Sequence, residues 1–554
     1  MTEQKEYSCF NTPDLQRGFD SLSTDQKYAF AKFAQGRNVF VTGPGGTGKT
    51  RLIKFLAEYM NTQGRNYQVC AMTGCAAVLL NCKAKTLHSW SGIKLGKGPV
   101  DDIVTRVLRN RCALKSWREV GVLVIDEVSM MSRKMFEIMD RIGKAAKKNT
   151  RPFGGIQLVL TGDFFQLPPI PDYDDPSSGD YCFQHPRWSA TFNAEDCIEL
   201  KTFFRQTDPA YIQLLQEIRQ GKITESGADI LEQRILRGGA VAPLRNGVAP
   251  TKLFPIRTKV DFVNNTTYAK LPGEERVYHF AVSTEARTHI DTGSPLTYEE
   301  TMRCGELSQE QLSFEVENLT GSMQTEKTIR LKVGALVMCT VNFDVERGIC
   351  NGSQGVIVDF QESNALMEEL AGGKRAIVPV VRFSNGITMR VGSHQRQSEE
   401  YPCVVVSQIP LCLAWALTIH KIQGATLDVA EMDLGKSVFA MGQTYVGLSR
   451  VKTLDGLYLS DFNPIKIRAD PIVVAFYKSF PQISDEIALT LTDKILARLS
   501  PPQKPASVFK QSKLVVSKID ANSFDRFRNG ASDELTEEAP TPTEQDPTIK
   551  KIRF

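Results

Sequence analysis

The stretch VFVTGPGGTGKTRLIKFLAEYM, Val39 to Met60, decides how this chain folds. It opens with a short apolar run, which is typical of a strand buried on both faces of a parallel sheet. GPGGTGKT follows and matches the pattern G-x-x-x-x-G-K-T, and Leu52, Ile53 and Leu56 then recur with helical spacing. Because a strand, a glycine-rich turn and a helix come in this order, the stretch predicts a loop whose backbone N–H groups wrap phosphates.

The same alternation of strands and helices continues along the chain. Val120–Ile125 and Ile156–Leu160 are apolar runs, and between them Met135, Phe136 and Met139 fall on one face of a predicted helix. Such alternation predicts a doubly wound α/β domain with a parallel sheet. The theme recurs less clearly after residue 194, where the strand-like runs are Leu253–Pro255, Val404–Val406 and Leu457–Leu459.

A different pattern lies between those later runs. Gly334–Phe343 and Gly355–Phe360 are β-rich and punctuated by glycine. Val378–Phe383 and Ile387–Val391 flank the dipeptide Asn-Gly, a strong signal for a two-residue hairpin. We therefore expect a small β-barrel-like insert here.

Composition sets wide bounds on function. The 554 residues allow several domains, and the net charge of +4 neither requires nor excludes a local basic groove. No two of the 12 cysteines are spaced as C-x-x-C, so a structural zinc site is not expected. The N-terminus lacks the features of a signal or transit peptide, and the apolar run near Leu411–Ile419 is too short for a membrane span. A soluble, intracellular protein is expected.

Four polar residues at the predicted strand ends suit phosphate chemistry. Lys49 of the glycine-rich loop would reach the β- and γ-phosphates of ATP, and the Thr50 hydroxyl would hold Mg²⁺. Asp126 ends an apolar strand, a position from which a carboxylate binds Mg²⁺ directly or through water. Glu127 beside it is placed to deprotonate an attacking water.

A glutamine follows the next predicted strand, in LTGDFFQLPP, Leu160 to Pro169. The carboxyl ends of parallel strands share one rim of the sheet, so Gln166 should lie near the phosphate loop. Its amide both donates and accepts, so it can bond a γ-phosphate oxygen and the attacking water together. Pro168 and Pro169 stiffen the segment behind it, which would transmit a small shift.

These motifs and several others resemble those of superfamily 1 helicases, in the same order. The chain is similar in particular to the petite-integration-frequency (Pif) family of superfamily 1B 5′-to-3′ DNA helicases. The resemblance covers about Leu22 to Phe462, with small departures at WSG, where FAG is usual, and at KIQG, where KSQG is usual. The further blocks that carry it are LSTDQKYAF, TGCAAVLLN, KTLHSWSGI, EVSMMSRKMF, NGSQGVIVDF, LAWALTIHKIQGATL and GQTYVGLSRV.

The resemblance implies a role for each matched residue. The catalytic residues are Lys49, Glu127, Gln166 and two arginine fingers, Arg205 and Arg450. The ATP-binding residues are Gln26, Gly43, Pro44, Gly45, Gly46, Thr47, Gly48, Lys49, Thr50, Gln166, Arg205, Gln423 and Arg450. Thr50 and Asp126 would hold Mg²⁺. The DNA-binding residues are Thr73, Gly74, His88, Ser89, Trp90, Thr418 and His420. Taken singly, a histidine or tryptophan is more often a packed core residue, and an arginine more often forms a surface ion pair.

The resemblance also implies the organisation of the domains. Residues 1–192 would form a first RecA-like ATPase domain with a wedge insert at about 93–119. A second RecA-like domain would comprise 193–333 and 405–495, interrupted by a β-barrel insert of Src-homology type at 334–404. Residues 500–554 open with prolines and end in an acid-rich stretch, which predicts a flexible tail or a docking segment for DNA-processing proteins.

The expected function is that of an ATP- and Mg²⁺-dependent DNA helicase. It would move 5′ to 3′ on single-stranded DNA as a monomer and unwind tailed, forked or quadruplex DNA in the nucleus, during replication, repair, recombination or telomere maintenance. A small-molecule P-loop ATPase would not need two remote arginines. A nucleic-acid-stimulated ATPase scaffold without unwinding, and a helicase for RNA or RNA–DNA hybrids, remain open alternatives.

Overall fold

A computed structural model of the chain describes residues 7, 9–10, 12–80, 82–94, 96–171, 175–235, 250–290, 293–321, 323, 325–341, 343–344, 347, 349, 352–363, 376–398 and 400–499. The tail predicted at 500–554 lies outside these residues. Among the described residues, no helix combines the length and the apolar character needed to cross a bilayer.

The first half of the chain forms a six-stranded sheet, every pairing of which is parallel. The strand order is β3-β2-β4-β5-β1-β6. Its elements are α1 Pro13–Asp20, α2 Thr24–Ala34, β1 Val39–Thr42, α3 Lys49–Thr62, β2 Tyr67–Ala71, α4 Gly74–Leu80, β3 Lys85–Thr86, α5 Leu87–Ser91, α6 Val100–Arg109, α7 Arg111–Glu119, β4 Val122–Asp126, α8 Arg133–Lys147, β5 Gln157–Gly162, α9 Trp188–Thr191 and β6 Cys197–Glu199.

The strands that the sequence predicts as buried form the middle of this sheet. Every residue of β1, β4 and β5 is buried, and a separate apolar cluster covers each face of the sheet. Phe40 points into one cluster and Val41 into the other, as expected for alternating side chains. The doubly wound prediction for this half is confirmed.

The second half holds a four-stranded parallel sheet in the order β18-β7-β19-β20. Its elements are α10 Pro209–Arg219, α11 Glu225–Glu232, β7 Thr251–Phe254, α12 Arg257–Ala269, β8 Arg276–His279, β9 Ala281–Ser283, α13 Tyr298–Gly305, α14 Gln309–Gly321, β10 Thr328–Leu331, β11 Leu336–Cys339, β12 Gln354–Glu362, β13 Ile377–Phe383, β14 Thr388–Arg390, β15 His394–Gln397, β16 Val405–Gln408, β17 Leu411–Leu413, β18 Ala416–Thr418, β19 Ala430–Leu434, α15 Gln443–Leu448, β20 Leu457–Phe462, α16 Pro471–Lys478 and α17 Asp485–Leu496.

The predicted β insert is an antiparallel sheet of five strands in the order β14-β13-β12-β11-β17. The hairpin predicted at Asn385 and Gly386 is confirmed, since it joins β13 to β14 and Gly386 has a φ of 90°. Closure into a barrel is not confirmed, because β14 and β17 each pair on one side only within the described part of the chain. The strand predicted at Val404–Val406 exists, but it pairs antiparallel with β9 and β15 and not within the second parallel sheet.

The predicted wedge segment folds as two short helices, α6 and α7. They pack on α8 through an apolar face that includes Ile103, Val107 and Trp117. Residues 193–333 and 405–495 are predicted to form the second domain, and the structure differs at both ends. At the first end, β6 pairs with β1 and so belongs to the first sheet. At the other end, the last two helices belong to the first domain. Val473 of α16 and Ala488 of α17 are buried in the two clusters of the first domain, one on each face of its sheet. The chain therefore returns to its first domain after β20.

Candidate nucleotide site and nucleic-acid interface

The phosphate loop lies between β1 and α3, at the carboxyl edge of the first sheet. Gly43 has a φ of 143° and Gly46 a φ of 96°, so both need the conformational freedom of glycine. A Cβ at Gly43 would lie 2.7 Å from the Leu200 carbonyl oxygen, and a Cβ at Gly46 would lie 2.8 Å from Cβ of Arg205. The loop is thus closely covered by the segment that leads into the second half.

Lys49 and Thr50 open α3, as the motif requires. The Lys49 ammonium donates to the carbonyl oxygens of Gly43 at 2.6 Å and Pro44 at 3.1 Å. Burial lowers the pKa of Lys49, while the nearby carboxylates of Asp163 and Glu127 act in the opposite direction. The ammonium therefore lies against the backbone of the loop. A bound phosphate could replace the two carbonyl oxygens as its hydrogen-bond acceptor.

Gln26 supports the loop from behind. Its side-chain amide is fully buried and donates to the carbonyl oxygens of Thr47 at 3.3 Å and Gly48 at 3.1 Å. Its oxygen accepts from the Ser23 N–H, which completes a capping box at the start of α2. The structure places Gln26 at the site but against the phosphate loop, and its predicted contact with ATP stays a prediction.

Asp126 ends β4 at the same rim, and Glu127 follows directly after the strand. Asp126 accepts hydrogen bonds from the Thr161 hydroxyl and the Glu127 N–H, and burial, with the nearby Glu127, raises the pKa of Asp126 to about 6. Glu127 is 9% exposed and has a left-handed backbone, with a φ of 57°. Such strain in a non-glycine residue is typical of functional positions. The Glu127 carboxylate accepts from the Gln423 amide at 3.1 Å.

Gln166 lies on the rim, where the sequence predicts it. The side chain is 3% exposed, and its amide oxygen has no hydrogen-bond partner among the described residues. A buried amide oxygen without a partner is costly, so it marks a place for a donor that a ligand or water supplies. Behind it, a Cβ at Gly442 would lie 2.7 Å from the Gln166 carbonyl oxygen. The GDFFQLPP loop therefore touches the GQTYVGLSRV block directly.

The two predicted arginine fingers cover the phosphate loop. Arg205 donates to the Ser449 carbonyl oxygen at 2.9 Å, and its Cβ packs against Gly46. Arg450 is 2% exposed and donates to the Val446 carbonyl oxygen and the Ser449 hydroxyl. Burial and the mutual repulsion of the two guanidinium groups lower the pKa of Arg205 to about 9, and burial lowers that of Arg450. Two cations that burial destabilises would gain from an anion in the loop.

Asp163 is the centre of a buried polar cluster that the sequence analysis missed. Arg219 of α10 donates to both Asp163 oxygens, at 3.0 to 3.2 Å, and to Glu199 at 2.7 Å. The Tyr445 hydroxyl lies 3.2 Å and the Tyr477 hydroxyl 3.4 Å from the Asp163 carboxylate. Asp163 and Tyr445 lie inside recognised blocks and could have been found from sequence, whereas Glu199, Arg219 and Tyr477 lie outside them.

Several predicted DNA-binding residues lie along the same rim. Thr73 and Gly74 begin α4, where the Thr73 hydroxyl accepts from the Ala76 N–H at 3.2 Å. His88 is partly buried, and Ser89 is exposed on α5. Burial lowers the pKa of His88, so its ring is neutral near pH 7.

The position of Trp90 differs from the prediction that it contacts DNA. It is 6% exposed and its ring lies 4.8 Å from that of Trp117, which donates from its indole N–H to the Ser91 carbonyl oxygen. The indole of Trp90 therefore packs in the wedge and cannot stack on a DNA base. On α5 the buried residues are Leu87, Trp90 and Ser91, so His88 and Ser89 belong to the other face.

In the second half, Thr418 and His420 lie just beyond β18 or at its end. The His420 ring stacks on Phe439 at 6.0 Å with an interplanar angle of 16°, and Phe439 is 67% exposed. Burial lowers the pKa of His420 as well. An exposed aromatic ring beside a neutral imidazole suits base stacking, and the sequence analysis did not single out Phe439.

Comparison with known proteins decides the family. A profile described as PIF1-like helicase matches residues 21–229, and one described as DNA helicase Pif1, 2B domain, matches residues 316–360. A crystal structure of Pif1 helicase from Candida albicans is 32% identical, with a TM-score of 0.66, over 83% of this chain and 99% of that chain. The chain belongs to the Pif1 family of helicases.

Other Pif1 relatives agree. The ATP-dependent DNA helicase PIF1 of Danio rerio is 34% identical over 82% of this chain and 64% of that protein, and the human PIF1 is 32% identical over 82% of this chain and 63% of that protein. This chain thus spans a little less than two thirds of these curated relatives. A crystal structure of Bacteroides Pif1 bound to single-stranded DNA is 27% identical, with a TM-score of 0.56, over 82% of this chain and 95% of that chain.

Proposed function

We propose that this chain is an ATP-dependent DNA helicase that moves 5′ to 3′ along a single strand. The observation that carries the proposal is the split site. The phosphate loop, Glu127 and Gln166 belong to the first parallel-sheet domain, and Arg450 and Gln423 belong to the second. A triphosphate between them would draw the two domains together, and hydrolysis would release them.

The chemistry follows from the positions of the side chains. Gln166 has a free amide oxygen for the attacking water, and Glu127 is the base that takes its proton. Arg205 and Arg450 lie over Gly46 and Gly45, where they can stabilise charge on the transferred phosphoryl group. A finger of this kind is worth about 10³ to 10⁵ in rate.

Thr50 and Asp126 fit a magnesium ion. Both offer oxygen ligands beside the phosphate loop. Burial and the Glu127 charge raise the pKa of Asp126, and a bound cation would offset both effects. When bound, Mg²⁺ would neutralise charge on the phosphates. Thr161 orients the Asp126 carboxylate by donating to it.

For ATP hydrolysis to move the protein, its contacts with the DNA strand must change when the nucleotide binds or leaves. Gln423 lies three residues after His420 and reaches the Glu127 carboxylate, so the TIHKIQG block joins the strand side to the catalytic base. Thr73 leads from β2 into α4, and its neighbour Met72 is hydrogen-bonded to the Asp126 carbonyl oxygen. The predicted DNA contact at Thr73 is thus one residue from a partner of Asp126, and that at His420 is three residues from a partner of Glu127.

The domain layout that we propose follows the sheets. The first RecA-like domain comprises about residues 1–200, because β6 pairs with β1, with the wedge at 93–119, and is completed by α16 and α17. The second comprises about 201–275 and 416–462, and the insert lies between these segments. We also propose that the protein acts as a monomer in the nucleus, on tailed, forked or quadruplex DNA, and that the 500–554 segment docks DNA-processing proteins.

A strand-displacement assay tests the proposal. A duplex with a 5′ single-stranded tail should be separated in the presence of ATP and Mg²⁺, and the same duplex with a 3′ tail should not. Lys49→Ala serves as the control without hydrolysis. ATPase stimulated by DNA without displacement of either substrate would favour the scaffold alternative, and faster displacement of RNA–DNA hybrid would favour the other alternative.

A further inference from the structure

The hydroxyl of Tyr445 bridges two parts of the nucleotide site. Tyr445 lies on α15 and is 1% exposed. Its oxygen accepts from the Gly45 N–H at 2.9 Å, and its proton is donated to the Asp163 carboxylate at 3.2 Å. A phenol has both a donor and an acceptor, so it can make the two bonds at once.

The Asp163 end of this bridge is rigid. Asp163 is fully buried and is held by the bidentate contact from Arg219. The Arg219 guanidinium in turn lies 4.7 Å from the centre of the Phe165 ring and 5.2 Å from that of the Tyr477 ring. Burial and the Asp163 charge raise the pKa of Tyr445, so the phenol keeps its proton.

The Gly45 end is where a phosphate would bind. Backbone N–H groups of this loop cradle phosphates, and Pro44 has none, so the Gly45 N–H is the first donor after Gly43. A Cβ at Gly45 would lie 3.1 Å from the Arg450 guanidinium and 3.3 Å from the Ser449 hydroxyl. Three residues from one helix and the turn after it therefore converge on one glycine.

We propose that Tyr445 is a positioning residue that senses the nucleotide. Its hydroxyl holds the Gly45 N–H when the loop is empty, and it competes with a phosphate oxygen for that N–H when a nucleotide binds. A charge-assisted hydrogen bond is the stronger of the two, so the phosphate displaces the phenol and frees α15 to carry Arg450 toward the γ-phosphate. When the phosphates leave, Tyr445 recovers the N–H and draws the helix back. The inference rests on the proposed ATPase function.

Tyr445→Phe tests the competition because it removes the hydroxyl alone. Without the competitor, fluorescent ATP and ADP analogues should bind about five-fold more tightly, the scale of one net hydrogen bond. Slower nucleotide release should lower kcat for DNA-stimulated hydrolysis, and KM for ATP should fall with it. General damage to the site would instead raise KM and weaken binding.

Tyr211→Phe is the matched control. Its hydroxyl is equally buried and donates to the Leu448 carbonyl oxygen at 2.7 Å, at the end of the same helix, without touching the phosphate loop. Nucleotide affinity should not increase in this variant. Equal effects in the two variants, or unchanged affinity in Tyr445→Phe, would overturn the proposal.

The binding measurement separates this inference from the proposed function. If the natural chain shows no DNA-stimulated hydrolysis, the proposed function fails, while the affinity comparison still tests the competition. If Tyr445→Phe does not fold, 3-fluorotyrosine at position 445 replaces it as the probe. Its ¹⁹F resonance should move when a non-hydrolysable ATP analogue is added, and a resonance that stays in place would refute the displacement of the phenol.

Discussion

The side-chain amide of Gln423 lies 3.1 Å from the carboxylate of Glu127, although 296 residues separate them in sequence. Both residues are predicted to lie at the ATP site, but nothing in the sequence indicates that they contact each other. Gln423 belongs to the block that also carries Thr418 and His420. The segment that is predicted to contact DNA therefore also contacts Glu127, the predicted general base. A shift of that block would turn or release the carboxylate that must accept a proton.

Glu127→Gln should bind ATP but hydrolyse it at least about 10²-fold more slowly, because the amide cannot accept the proton of the attacking water. The Gln423 contact can survive, since an amide oxygen also accepts. Steady-state ATPase and equilibrium nucleotide binding measure the two effects. Glu137→Gln, a surface change on α8 beside Arg141, is the control and should leave both unchanged. A kcat close to that of the natural chain would remove Glu127 from this role.

Gln166→Ala should still bind ATP and single-stranded DNA, but DNA-stimulated ATPase should fall by about 10²-fold, the scale of one positioned transition-state donor. ATPase without DNA should fall less. The rates with and without saturating oligo-dT give the stimulation ratio, and Gln213→Ala, an exposed glutamine on α10, provides the comparison. If the ratio does not change, Gln166 is an ordinary buried turn residue.

Trp90→Ala and Phe439→Ala should have opposite signatures. Trp90 packs in the wedge, so its loss should cost about 3 to 5 kcal/mol in free energy of unfolding. Phe439 is exposed, so its loss should leave stability within about 0.5 kcal/mol and weaken single-strand binding by about 1 to 3 kcal/mol. Denaturant unfolding and DNA titration of both variants measure this. A stable Trp90→Ala protein with weakened DNA binding would restore the original assignment of Trp90.

DNA affinity should change with pH through His88 and His420. Burial lowers the pKa of both below the ordinary 6.5, so both are neutral and contribute no charge between pH 7 and 8. As the pH falls below 6, protonation adds cations near the phosphates and should tighten binding, while the same protonation costs stability because the unfolded chain takes up the protons more readily. Titrations at pH 5.5 and 7.5 with the His88→Gln/His420→Gln protein as control test this. Equal pH dependence in both proteins would assign the effect elsewhere.

The sequence predicts the first domain well because local patterns determine it. β1, the glycine loop and α3 are contiguous, and the strand ends then place Asp126 and Gln166 on one rim. The burial of Trp90 is only partly foreseeable, since Leu87 and Trp90 are two apolar residues at helical spacing, whereas the burial of Ser91 beside them follows from tertiary packing.

Other features depend on tertiary packing that no local pattern records. Nothing in the sequence distinguishes Arg219 from other arginines on helices, and only the structure shows its buried ion pair with Asp163. The apolar run at Val404–Val406 predicts a strand, but the run does not indicate which sheet that strand joins. The return of α16 to the first domain cannot be predicted from local sequence either, because it depends on hydrogen bonds of Tyr477 with Thr42 and Asp163, which are more than 300 residues away in the chain.

That return has a consequence during synthesis on the ribosome. The first sheet is complete in sequence at β6, but the helices that cover part of both its faces, α16 and α17, emerge only after the whole second half. At about 5 to 20 residues per second, that delay of roughly 300 residues lasts about 15 to 60 seconds. During that time the apolar surface that Phe476 and Leu496 cover in the complete chain would be exposed to water and to other nascent chains, so the first domain can reach its full stability only after its last helices are synthesised.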